Sequence, residues 1–250
     1  MTDNKIGRFF SNMPVATRNL LILNVLLWLI AFISPERMGE PMVRYGGLHY
    51  WESAFFIPTQ LVTYMFLHDF SSISHVFFNM FSLVMFGVVL ERVWGTKRFL
   101  FFYFVTGIGA ALVQEAVWTL TWQHSVALVD TVTGQITVSG REAVEYALQH
   151  NMSLEPYINQ MVTIGASGAV FGVLLAFAML FPNVPMYIFF IPIPIKAKWV
   201  VLGYGLLEMF YGVAGIQGNV AHFAHLGGML FGLILILYWR KKGIGGEQIY

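Results

Sequence analysis

Six apolar stretches, at about 20–34, 75–90, 99–119, 162–181, 199–213 and 220–239, run through this chain of 250 residues. A helix that crosses a bilayer needs about 20 apolar residues, within a range of about 17–25. The third, fourth and sixth stretches reach that length alone, and the first, second and fifth reach it with their flanks. The other spanning solution, a closed barrel, needs strands that alternate apolar and polar residues, and these runs do not alternate. Composition agrees. Charged residues make up 11% and mean hydropathy is +0.67, whereas a soluble domain carries about 25% charged residues. The expected fold is therefore an all-α membrane protein with six transmembrane helices.

Orientation follows from Lys and Arg, which favour cytoplasmic segments. With the N-terminus inside, eleven of the fourteen basic residues fall at inner ends, and only Arg37, Arg44 and Arg141 fall outside. Both termini are then cytoplasmic, as tails at 1–16 and 241–250 flanking a helical domain at 17–240. Residues 1–18 lack the apolar core of a signal peptide, so the first apolar segment is read as retained. No block of like charge points to nucleic acid. The absence of Cys excludes disulfides, thiolate nucleophiles and Cys-ligated metals.

The outer loop at about 35–74 is rich in aromatics, including Tyr45, Tyr50, Trp51 and Tyr64. It reads equally as a segment in the headgroup layer or as an ordinary packed loop. The outer loop at 121–160 reads as a hairpin over 129–138 around Thr133-Gly134. A capping box, Ser139 to Glu142, then precedes a short helix over 143–149. Four prolines, Pro182, Pro185, Pro192 and Pro194, rule out continuous helix in the inner linker at 182–198.

Polar side chains inside spans are costly, and each needs a reason. Helices two, four and six run from outside to inside, and each carries polar residues near its outer start. These are His75 and Asn79, Ser167, and His222 with His225. Ser167 is expected roughly 9 Å into a helix that opens at Met161, at about 1.5 Å per residue. A serine, imidazoles and an amide at one depth suit nucleophilic catalysis. His75 and Asn79, four apart, share a face. Small residues form stripes at Gly168, Gly172 and Ala176 and at Gly228 and Gly232; such stripes let helix backbones approach closely. The glycine spacing selects His225 over its rival His222, since residues three and seven after His222 are His225 and Met229.

Three motifs occur in order on alternate spans: His75-x-x-x-Asn79, Gly165-Ala166-Ser167-Gly168, and Ala224-His225-x-x-Gly228-x-x-x-Gly232. With Glu91-Arg92 at the inner end of helix two, they resemble the rhomboid family of intramembrane serine proteases over about residues 17–240. The resemblance implies a Ser167–His225 dyad without a carboxylate, in keeping with the lack of Asp in the expected spans. His225 serves as general base. The backbone N–H of Ser167 and the side chains of His75 and Asn79 line an oxyanion hole. Phe171, where some members have Tyr, stacks on His225, and Gly165, Gly168 and Gly228 support the site. No cofactor or metal is implied. The partners are single-span membrane protein substrates and lipid, in a bacterial cytoplasmic membrane, with no oligomeric state assigned. One departure stands out: many members carry Trp-Arg in the first outer loop where this chain has Thr59-Gln60.

The remaining polar residues read as structural. Glu208 is taken as a hydrated, outward-facing carboxylate or a lining of the substrate path, and His222 as a residue of the mouth. Gln114 and Glu115 are expected to mark the outer end of helix three, Glu91 to cap locally, and His68 to support the outer loop. His49, His124 and His150 are expected in solvent. His222 and His225 lack a third ligand at metal-site spacing. Two alternatives fit the sequence less well. A non-enzymatic relative would ordinarily lack the serine or the histidine, and both are present. A transporter would ordinarily show internal repeats, and none is visible.

Overall fold

The computed structural model describes residues 10–129, 136–187, 193–215 and 221–243. Six helices carry the fold: α1 (Val15–Ile33), α2 (Ile73–Trp94), α3 (Thr96–Ser125), α4 (Ser167–Leu180), α5 (Ala197–Ala214) and α6 (His222–Lys241). Of these, α1, α2, α3 and α6 are long and apolar enough to cross a membrane. α4 has 14 residues, about 21 Å at 1.5 Å per residue, which is short of a hydrocarbon core of about 30 Å. α5 has 18 residues and carries Lys198 and Glu208. The outward faces of the long helices are apolar, with Ile22, Phe32, Phe78, Leu206, Phe210 and Leu237 among the exposed side chains. Water would not tolerate so much exposed apolar surface, and lipid does.

The centre of the bundle is α6 against α3 and α4, and small residues set the distances. A Cβ added to Gly228 would fall on the carbonyl oxygen of Gly168. One added to Gly232 would meet Gly172 Cα at 3.4 Å. The α4 and α6 backbones therefore touch directly, and Ala169, Val173 and Ala176 are buried beside the seam.

The start of α4 departs from expectation. Residues 162–163 are not helical. They form strand β4 (Val162–Thr163), paired antiparallel with β1 (Leu48–His49) in the first outer loop. β-branched residues favour a strand, and Gly165, at φ +135°, breaks any continuation into helix. The Gly165 N–H donates to Tyr64 O at 3.0 Å. Ser167 is thus the first residue of α4 rather than a position well inside it.

The first outer loop is fastened residue by residue. Gln60, at the place of the missing Trp-Arg, is fully buried. Its Oε1 accepts from His49 N at 3.2 Å, and its Nε2 donates to Phe55 O at 2.9 Å and Tyr45 O at 3.3 Å. Glu115 is buried within α3 rather than marking its end, and it accepts from Trp51 N at 3.0 Å. His49 is likewise buried in β1, not in solvent, while His124 and His150 are exposed. The loop mixes both expected characters: Tyr50 and Tyr64 are buried, Tyr45 and Trp51 exposed.

In the second outer loop, β2 (Ala127–Val129) pairs with β3 (Ile136–Ser139); the turn at 133–134 lies outside the described residues. Helix Arg141–Gln149 follows, but Ser139 does not cap it. Ser139 is paired with Ala127, and Gly140, at φ +66°, takes the cap position without a side-chain bond. The inner linker forms two short strands, Pro185–Met186 and Ile195–Lys196.

Near the C-terminal end of α2, Glu91 caps a different helix. Its Oε1 accepts from Ala16 N at 2.8 Å, and its Oε2 from Thr17 N at 2.7 Å and Thr17 Oγ1 at 2.8 Å. Thr96 Oγ1, at the start of α3, donates to Oε1 at 2.7 Å. The carboxylate supplies the acceptors that Pro14, the residue before α1, lacks.

Candidate active site

The first N–H groups of a helix have no intrahelical partner and favour negative charge. Ser167 stands at that position on α4. The backbone contact between Gly168 and Gly228 brings the first turn of α6 alongside. His225 Nε2 lies 2.7 Å from Ser167 Oγ. The Phe171 ring stacks on His225 with centroids 4.3 Å apart and planes 6° apart. The three residues named on sequence grounds for nucleophile, base and support therefore meet.

The other face of the base was not anticipated. His225 Nδ1 lies 2.9 Å from Glu208 Oε2, and His222 Nδ1 lies 2.7 Å from the same oxygen. A carboxylate oxygen only accepts, so both Nδ1 atoms carry protons. For His225 this directs the Nε2 lone pair at the serine hydroxyl. Glu208 is not a hydrated outward group, since its side chain is only 13% exposed. His222 is buried rather than a mouth residue. The expectation of no third ligand beside the two histidines also fails in space. Glu208, from another helix, completes a set of three ligand atoms within 4.8 Å of one another. Contacts of 2.7 and 2.9 Å are hydrogen bonds to a shared carboxylate, and this is how the three groups are satisfied in the structure.

His75 approaches from α2. Asp69 N donates to its Nδ1 at 3.2 Å, which leaves Nε2 as the N–H of the neutral ring. A Cβ on Gly165 would lie 2.9 Å from His75 Nε2 and 3.5 Å from Ser167 Oγ. The missing side chain thus opens the space between imidazole and serine. Asn79 is buried one turn along, and its Nδ2 donates to His75 O at 2.9 Å. Its amide borders the site without touching Ser167 among the described bonds.

His68, in the loop before α2, sits edge-on to His75 with ring centroids 5.0 Å apart. Burial, then the proximity of His75, pushes its pKa down from 6.5 to about 3. The unfolded chain binds a proton below pH 6.5 that the folded chain refuses. The neutral ring's contribution is therefore fully present above that pH and is lost as pH falls toward 3. The expected slope is about 1.4 kcal/mol per pH unit below the unfolded value. Thermal unfolding in detergent at pH 7 and pH 5 checks this: the difference should shrink by about 2 kcal/mol in His68→Leu.

A family model described as the Rhomboid domain matches residues 57–242, which contain every residue of the site. The chain belongs to the rhomboid family. It is thus an integral membrane protein of a family of intramembrane serine proteases. Among its relatives, the Rhomboid protease AarA of Providencia stuartii is 28% identical over 241 residues, covering 93% of this chain and 75% of that protein. Rhomboid protein 1, mitochondrial, of Saccharomyces cerevisiae is 37% identical over 82 residues, covering 32% of this chain and 22% of that protein. Within this rhomboid, sequence reasoning missed Glu208. The available signal was a carboxylate in an apolar helix, which by default marks a functional site.

Proposed function

We propose that this rhomboid is a serine endopeptidase that cleaves single-span membrane proteins near the outer face of a bacterial cytoplasmic membrane. The observation that carries the reading is the 2.7 Å approach of His225 Nε2 to Ser167 Oγ beneath a stacked Phe171. His225 takes the hydroxyl proton as Ser167 attacks the scissile carbonyl, and returns it to the leaving amine. Water then repeats the sequence on the acyl-enzyme. The oxyanion forms at the start of α4, where backbone N–H groups converge, with His75 Nε2–H and the Asn79 amide as side-chain donors.

All six helices are taken to lie in the bilayer with both termini inside, in line with the basic residues. The shortness of α4 supports a site below the outer surface, since a helix of about 21 Å rising from the inner face stops short of the outer one. A substrate helix must unwind to present a peptide bond there, so small or polar residues near the cut favour cleavage.

The test is to incubate purified protein with a panel of single-span substrates, map the products by mass, and label the enzyme with a fluorophosphonate. Ser167 should carry the label, and Ser167→Ala should neither label nor cleave at more than a residual rate; full cleavage by that variant sinks the mechanism. Asn79→Ala should keep weak activity, with kcat lowered about 10²–10³-fold, the usual cost of one oxyanion donor. Full kcat in that variant would remove Asn79 from the oxyanion hole.

A further inference from the structure

We propose that Glu208 is a positioning residue that extends the pair into a hydrogen-bonded line, Ser167–His225–Glu208, with His222 holding the carboxylate in place. This rests on the serine protease reading above and goes beyond the dyad it assumes. In a dyad the Nδ1 side of the base is left to packing alone. Here a carboxylate oxygen stands 2.9 Å from that atom, while Nε2 faces the nucleophile at 2.7 Å. Three things follow for the base. The Nδ1–H tautomer is fixed, so the lone pair faces Ser167 Oγ. The ring is held between a hydrogen bond at its edge and Phe171 on its face. The imidazolium formed during attack gains a neighbouring negative charge, which stabilises the protonated base. No atom of Glu208 touches substrate, and no proton needs to reach it.

The placement is specific. α5 buries its apolar side chains only near its inner end, at Ala197, Val200 and Val201, whereas Leu206, Leu207, Met209 and Phe210 around Glu208 are exposed. Within that outer half Glu208 turns inward. His222 Nδ1 at 2.7 Å supplies a second donor to the same oxygen, so the carboxylate does not rest on the base alone. The charged or titratable groups around His225 are Glu208 from α5, His222 from its own helix, and His75 from α2, beyond Ser167.

The experiment compares wild type, Glu208→Gln and Glu208→Asp on one cleaved substrate. Active protein in each is titrated by fluorophosphonate, so that misfolded fraction is divided out. Exchanging the charged acceptor for a neutral amide oxygen should lower kcat per active site roughly 10- to 100-fold in Glu208→Gln, with KM within about twofold. Glu208→Asp should recover part of the loss. The proposal is overturned if Glu208→Gln matches wild type per active site. It is equally overturned if the loss lies wholly in the active fraction, or if chelators abolish wild-type activity, since the carboxylate would then serve an ion. Failure of the underlying reading looks different: wild type and Ser167→Ala would then behave alike.

Discussion

Alanine at Ser167 together with alanine at His225 should be no slower than alanine at either position alone. The two side chains share one hydrogen bond of 2.7 Å, and each is useless without the other. A serine with no base keeps its proton, and a base with no serine has nothing to deprotonate. In a soluble serine protease, loss of either group costs about as much as loss of all, on the order of 10⁶ in kcat. The proposed oxyanion donors from the start of α4 and from His75 survive in all three variants, and they alone should sustain a residual rate about 10³–10⁴ above water. Product formed over days in proteoliposomes, compared among the two single variants and the double, is the measurement. Independent, multiplying losses would mean that the pair does not act as a unit.

Gly228→Ala should remove at least about 10²-fold of activity while changing no group that takes part in chemistry. The added methyl meets the carbonyl of Gly168, and backbone cannot rotate aside as a side chain can. Overpacking of this kind costs about 1–3 kcal/mol, and the relief available is to move α6 outward. His225 lies one turn from Gly228 and moves with it. A displacement of 1 Å at a reacting group costs about 10² in rate. Gly203→Ala is the control, because a Cβ there meets nothing within 4 Å. Fluorophosphonate labelling rate and thermal midpoint, measured for both variants, separate the site from the fold. Labelling of Gly228→Ala at the wild-type rate would show that the helix seam does not set the separation between serine and histidine.

Much of this was legible in the sequence, for physical reasons that differ by residue. Helices in lipid must be long and apolar, so their places were readable to within a few residues at most ends. Ser167 and His225 were readable because the glycine stripes announce which faces touch, and Phe171 followed from the family resemblance. The start of α4 was not, since Val162 and Thr163 are apolar enough for a span but pair with Leu48 and His49, a partner more than 110 residues away. Glu115 was misjudged, and the part Gln60 plays was not legible, for a related reason: the backbone groups they satisfy belong to other stretches of the chain. Glu208 was misread because a carboxylate in an apolar helix says that a partner exists without saying who. Only the packing of α5 on α6 supplies two imidazoles.

Glu91 bears on how the molecule comes to be built. The N–H groups at the start of α1 find their acceptor in a residue 75 positions further on. At a synthesis rate of about 5–20 residues per second, roughly 4–15 s separate the emergence of Ala16 from that of Glu91. Through that interval the N–H groups at the start of α1 lack this acceptor. The first helix can thus form early but is fastened late, when the last turn of α2 docks. Thr96 joins the same carboxylate a few residues afterwards, so one side chain closes the first three helices in the order in which the ribosome delivers them.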